Sequence, residues 1–499
     1  MTQQSHFSVD SVLVLGGGSA GLLAALSLKR LIPSLEVRLI RSIQLGVIGV
    51  GEGTTAAFPE FLFNHLGIPR EEFYREARPT WKQGIKFIWG PRDQFFYDFE
   101  FQYDHRFDGL PKANGYYAHD DCSDFSQACA LMQRGKAFPT GALGRPVVKG
   151  SYAFHIENHH LVTYLESAAG RAGVVLEDDV FIRAETGPAG IEALHFEKSG
   201  RRTADLYVDA SGFKAELLGK ALGEGFKSFE GGLFCDRAMT GGWEREDEPI
   251  QAYTTAETMD HGWCWQIEHE GHINRGYVYS SRFASEDEVR EEFLRKNPKV
   301  TRTRVLEFRS GRRERGWVGN VVAVGNASGF VEPLEATALA QILFECRWLQ
   351  ELIELSGRRP GPHEREFFNH AVGVAWDEIR DFLAFHYRFN TRLDTPFWRH
   401  CRDHTDLGDY QAFFDLYQEI GPSPMLAQML PNRPNIYGIE GFLAMLVGMQ
   451  VPHGNPHHVT TAEIASLQAG KKHYARRAAS GLNVAETLAA IRRPSWQWS

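Results

Sequence analysis

The stretch LVLGGGSAGLLAAL, residues 13–26, constrains this chain more than any other. A short apolar run from Val12 to Leu15 meets Gly16, Gly18 and Gly21, and an Ala/Leu-rich segment with helical periodicity follows. Strand, tight glycine turn and helix in that order form the entry of a dinucleotide-binding fold. Gly16 permits the turn, Gly18 lets backbone approach a pyrophosphate, and Gly21 lets the helix pack on the strand. At the helix start, around Ser19 and Ala20, unpaired N–H groups are offered to phosphate anions. The expectation is an α/β fold with a dinucleotide site; a plain strand–turn–helix connection is the competing reading.

The residues that follow extend this expectation and depart from it once. Leu35 to Ile40 reads as a second strand, after which a carboxylate usually holds the adenosine ribose, about 20 residues beyond the glycines. Arg41 stands there instead. Either another residue holds the ribose, or the arginine lies against the phosphates or adenine. The loop GVIGVGEGTTAAF places Gly49, Gly51 and Gly53 around Glu52, with Thr54 or Thr55 able to cap a helix near Phe58. Such a loop suits close approach to a planar cofactor; a surface turn is the alternative. In TWKQGIKFIWG, Lys82 lies just before a strand that begins at Ile85.

Bulk properties exclude several classes. A chain of 499 residues, 43% hydrophobic and 23% charged, is an ordinary globular composition with room for two or three structural parts. The net charge of -9, with dispersed basic residues, argues against nucleic acid and anionic membranes as partners. No apolar run reaches membrane-spanning length and no secretory leader is present, so a cytoplasmic enzyme is expected. Six scattered cysteines fit a reducing compartment. His155, His159 and His160 have no carboxylate or cysteine at a recognised ligand spacing, so no metal is expected. Aromatic residues make up 12% of the chain, enough to wall a flat apolar substrate as well as fill a core.

Further along, Tyr152 to Gly173 passes from strand to a helix that Asn158 could cap. Val174–Val180, Ile191–Phe196 and Ala204–Val208 read as strands of a second sheet layer, the last running into DASGF. Trp263 and Trp265 share one face of a strand. GNVVAVGNASGFVEPLEATALA gives a buried strand, a turn through Gly325 and Asn326, and a helix from about Ala336. Glu335 then sits at a helix entry, beside N–H groups of Thr337 and Ala338 that could hold an anion. Beyond Glu345 the chain is mostly helical, ending in a long helix from Thr461 to about Ile491.

Together, the glycine turn, the GVGEGT loop, TWKQGIKF, the W-x-W-x-I motif at 263–267, GNASGFVEPLEAT and WDEIRDFLAFHY leading to DTPFWR closely resemble the flavin-dependent halogenases of the tryptophan halogenase family. The resemblance implies a GR2-type, Rossmann-like FAD-binding α/β module with an inserted β-rich substrate layer over 1–345, and a helical part over 346–499 covering the substrate site. It implies FAD contacts from Gly16, Gly18, Ser19, Ala20, Gly21, Gly49, Gly51, Glu52, Gly53, Thr54, Gly325 and Asn326. Reduced FAD from a separate NAD(P)H-dependent flavin reductase would react with O2 and halide to give hypohalous acid. That oxidant would brominate or chlorinate a small electron-rich aromatic such as an indole. Lys82 matches the family's essential lysine, Glu335 its second catalytic carboxylate, and Thr337 with Ala338 its backbone halide site. Trp263 and Trp265 match the wall that separates substrate from flavin, and a homodimer is compatible with the resemblance.

The chain departs from the best-studied members at Glu268, where they have proline, at Ala336 for serine and at Ala338 for glycine. No residues match those that grip free tryptophan, which favours another indole or electron-rich aromatic. An aromatic hydroxylase sharing the flavin site is the nearest rival reading, and a non-enzymatic flavin scaffold a more distant one.

Overall fold

The computed structural model describes residues 8–45, 51–100, 121–454 and 460–498. They fall into two compact units, each drawn from three separate stretches of chain. Unit 1 comprises Met1–Arg78, Ile156–Phe229 and Phe308–Asp377, and unit 2 comprises Pro79–His155, Glu230–Glu307 and Glu378–Ser499. Each unit is thus assembled from segments far apart in the chain, because apolar periodicity marks elements and not the long-range pairings that group them.

Unit 1 is built on a six-stranded sheet in the order Trp317–Val318, Val321–Ala323, Leu206–Asp209, Ser11–Leu15, Glu36–Arg41, Val175–Asp178. All its pairings are parallel except the outermost one, between Trp317–Val318 and Val321–Ala323. In the central Ser11–Leu15 strand residues 12–15 are a continuous, buried apolar run, as expected of a strand flanked on both sides in a parallel sheet. Gly16 has φ +125°, and a Cβ there would lie 2.2 Å from the Ala210 carbonyl oxygen; one on Gly21 would lie 2.0 Å from the Gly16 oxygen. These approaches seat the Ser19–Leu31 helix, which packs against the Asn158–Ala172 and Thr337–Leu355 helices.

Two sequence expectations change here. Val175–Asp178 and Leu206–Asp209 belong to the main sheet, and only Gly190–Phe196 joins a separate antiparallel sheet, with Phe181–Gly187 and Gly200–Arg202. Short apolar runs fit either layer, and register alone decides between them. Asn158 is the first helical residue, with Glu157 at the cap position.

Unit 2 carries a seven-stranded sheet in the order Arg304–Glu307, Arg237–Glu244, His272–Tyr279, Gly262–Glu268, Thr254–Met259, Gly84–Ile88, Phe95–Asp98. Lys82 does not merely precede the Gly84–Ile88 strand. It ends a short strand of its own, Thr80–Lys82, paired antiparallel with residues 153–155. The expected last helix is two, Thr461–Ala479 and Val484–Ile491, because Asn483 and Glu486 form a new capping box.

Gly276 faces the Trp265 ring, and an added Cβ would lie 1.9 Å from its Cζ2. Gly276→Ala is therefore predicted to cost about 1–3 kcal/mol through overpacking. Thermal unfolding measures this, and an unchanged midpoint would show that the Trp265 face is not close-packed.

Candidate active site

In unit 1 the Ser19–Leu31 helix begins without a side-chain cap, with Gly18 at the cap position. A Cβ on Gly18 would meet nothing within 4 Å, so the backbone there opens onto free space. Beside it the Ser19 hydroxyl is enclosed without a protein partner. Uncapped N–H groups and an orphaned hydroxyl around an opening fit a pyrophosphate. Gly325, at φ +62°, is seated against Ala20, where a Cβ would come within 2.7 Å of the Ala20 methyl. The structure thus brings the Gly325–Ala327 turn, and Asn326 within it, to the glycine fingerprint.

Of the second glycine loop, Gly49 lies outside the described residues. Gly51 has φ +79°, Glu52 and Gly53 form a short strand, and Thr54 is fully buried. Asn158 Nδ2 donates to Glu52 Oε1 at 3.2 Å, so the residue expected to cap a helix supports this loop instead. Glu52 as a whole keeps part of its surface exposed, but its carboxyl is enclosed, and desolvation pushes its pKa up to about 7.

Glu335 is buried, and Ala336 adopts a left-handed φ of +56° as the chain enters the Thr337–Leu355 helix. This helix also lacks a side-chain cap, and the Thr337 hydroxyl is enclosed without a partner. An uncapped start of this kind is competent to hold a small anion on the N–H groups of Thr337 and Ala338. About two turns further on, sequence reasoning missed Glu345. Its Oε2 accepts the Gly325 N–H at 2.7 Å and its Oε1 accepts Trp376 Nε1–H at 3.3 Å. Burial pushes its carboxyl up to about 8. The available signal was a carboxylate among Ile342, Cys346 and Leu349, on the apolar face of the helix.

In unit 2 Lys82 is completely enclosed, with Nζ 5.5 Å from the centre of the Phe99 ring. Strand alternation turns Trp81 the opposite way, edge-on to Phe138 at 5.2 Å. Thr80 pairs with His155 in register, so Thr80, Lys82 and His155 share a face. His155, not singled out as a site residue from sequence, bonds Thr254 Oγ1 through Nε2 at 2.8 Å. Burial foremost, and then the Lys82 cation, hold its pKa well below the usual histidine range, which keeps the ring neutral. Thr80 Oγ1 donates to the Glu268 carbonyl at 2.5 Å, tying this strand to the tryptophan strand. The Glu268 carboxylate, standing where relatives have proline, is buried against Arg245 at 2.6 Å. Trp263 and Trp265 are buried side by side with ring centres 6.0 Å apart, and Trp265 Nε1 is enclosed without a partner.

Glu157, His159 and His160 do come together, each placing a ligand atom within 4.8 Å of the others, with His159 Nδ1 3.4 Å from Glu157 Oε2. Glu157 is the carboxylate the sequence reading left out of this group. The group is part-exposed at a helix start, where the dipole disfavours a cation.

A family model described as tryptophan halogenase matches residues 11–463. Tryptophan 7-halogenase RebH of Lentzea aerocolonigenes is 32% identical over 441 residues, covering 82% of this chain and 82% of its own. Tryptophan 6-halogenase ThaL of Streptomyces albogriseolus is 32% identical over 421 residues, covering 78% of each. Among solved structures, MibH, a lanthipeptide tryptophan 5-halogenase, is 36% identical with a TM-score of 0.89, over 97% of this chain and 93% of that one.

The position of Glu345 generates a pH-dependent prediction. Its folded pKa of about 8 lies above the ordinary glutamate value of 4.5, so its contribution to stability is full below that lower value and is lost as pH rises through the upper one. Glu345→Gln keeps an acceptor for the Gly325 N–H but cannot ionise. It should match the parent near pH 5 and unfold at a midpoint higher by about 2 °C or more near pH 9. Parallel melting curves across this range would remove the buried charge from the account.

Proposed function

This chain belongs to the tryptophan halogenase family and is a flavin-dependent halogenase, and on that premise we propose which of its residues carry the reaction. FAD is held by Gly16, Gly18, Ser19, Ala20 and Gly21 at the first helix, by the loop of Gly49, Gly51, Glu52, Gly53 and Thr54, and by Gly325 with Asn326. Reduced FAD, delivered by a separate NAD(P)H-dependent reductase, supplies with O2 the oxidising power that turns halide into hypohalous acid. The N–H groups of Thr337 and Ala338 hold the halide. Amide dipoles bind an anion without the full countercharge that would dull its nucleophilicity.

Lys82 receives the oxidant. Its complete enclosure is the observation that carries the reading, because burying an ammonium costs several kcal/mol and strongly buried lysines concentrate at functional sites. An ammonium there hydrogen-bonds hypohalous acid, or forms a haloamine as the amine, and presents halogen to one carbon. Attack by the arene builds a cationic ring, which the Glu335 carboxylate stabilises before taking the ring proton. Trp263 and Trp265 give a rigid apolar wall that keeps the arene apart from the flavin. The substrate is an electron-rich aromatic such as an indole, in keeping with relatives that are named for tryptophan.

Among the described residues no helix is long and apolar enough to cross a membrane. The scattered spacing of the six cysteines and the need for NAD(P)H-derived flavin favour a cytoplasmic setting.

Mass spectrometry of reactions with FAD, a reductase, NADH, O2, a panel of indoles and phenols, and bromide or chloride tests the reading. A monohalogenated product is expected only with substrate and halide together. Lys82→Ala should lower aryl halogenation by about 100-fold or more while hypohalous acid, trapped by a diffusible acceptor, is still formed. Regiospecific halogenation by this variant would remove Lys82 from its role. Glu335→Gln should cut turnover by about 10-fold or more with FAD still bound; near-normal turnover would leave Glu335 a structural carboxylate.

A further inference from the structure

The last residue of the second strand, at the end where a dinucleotide fold presents its ribose-binding carboxylate, is Arg41. The strand end is fixed: the Ile40 carbonyl accepts the Gly16 N–H at 2.9 Å, and the Arg41 carbonyl accepts the Asp179 N–H at 2.9 Å. The arginine stem lies across the fingerprint itself, since a Cβ on Gly17 would come 2.5 Å from Arg41 Cβ and 2.8 Å from its Cδ. Its Nη1 bonds Glu166 Oε1 at 2.5 Å, while its Nε is enclosed without a partner. Glu166 comes from the Asn158–Ala172 helix, which packs on the Ser19–Leu31 helix. Among the described residues Glu166 bonds Arg41 alone, and both side chains remain part-exposed, at 29% and 21%.

A part-exposed ion pair of this kind adds little to stability, so stability alone does not account for an arginine laid across a glycine turn. We propose that Glu166 supplies, from a helix, the carboxylate that the strand end lacks, accepting the hydroxyls of the adenosine ribose of FAD, with Arg41 as the residue that positions it. The guanidinium offsets its charge and fixes its direction, leaving the second carboxylate oxygen for the sugar. This inference rests on the reading that the Gly16–Gly21 turn binds FAD.

Competition of ADP and 2′-deoxy-ADP against FAD, followed by flavin fluorescence on the full-length protein, tests it. The parent protein should prefer ADP by about 10-fold, the scale of one hydrogen bond to a charged group. Glu166→Gln and Arg41→Met should each erase that preference, the double variant should lose no more, and FMN affinity should stay unchanged in all three. Survival of the preference in Glu166→Gln overturns the assignment. So does a loss in Arg41→Met that is equal for both nucleotides while Glu166→Gln behaves as the parent, which would place the arginine on the phosphates. A parent protein that binds neither FAD nor ADP would instead overturn the flavin reading beneath it.

Discussion

The contact between Gly21 and the carbonyl of Gly16 governs unit 1. No residue with a Cβ can make it, and it sets how closely the first helix lies on the first strand. That closeness leaves the helix start open at Gly18 and lets Gly325 settle against Ala20. Gly325 is in turn held by Glu345, whose carboxyl accepts its N–H. A backbone constraint at residue 21 therefore reaches, through two further contacts, the helix that begins at Thr337. The residues proposed to hold the cofactor and those proposed to hold the halide share one packed support.

Unit 2 depends on a different device. Lys82 is carried on a three-residue strand whose neighbour Trp81 anchors it in an aromatic core, while Thr80 ties it to the strand of Trp263 and Trp265. The link passes through the carbonyl of Glu268, and its side chain is locked by Arg245. The departure from proline thus replaces one rigid strand end by another, fixed by charge instead of by ring closure. A neutral His155 shares the face of Lys82 and adds no second positive charge to an enclosed site.

Much of this was legible in the chain. The glycine turn, the first two strands and the helix after Glu335 were readable because each rests on local periodicity and local turn chemistry. The capping box at Asn483 was equally local, so the division of the last helix could have been read from N-x-x-E. What stayed hidden depends on pairing between distant segments. Nothing near Leu206 says that it lies beside Val12, and nothing near Lys82 says that its partner is Ala153. Arg41 was visible as an anomaly, yet its partner Glu166 lies on another helix and could be found only in three dimensions. Glu345 was concealed by an averaging habit, since one carboxylate barely dents the apolar character of its helix.

The interleaving of the two units has a consequence for how the chain matures. The first strand cannot complete its sheet until a segment far downstream exists; the Ser11 N–H alone waits for Asp205, 194 residues later. Unit 1 closes only when Asp377 has been made, and unit 2 draws on the stretch that follows it. For most of its synthesis on the ribosome the nascent chain therefore displays unpaired strand edges and apolar helix faces. High contact order of this kind slows folding and exposes intermediates to aggregation. Slow translation, low temperature and chaperone supply should thus govern the yield of active protein more than the final stability of either unit.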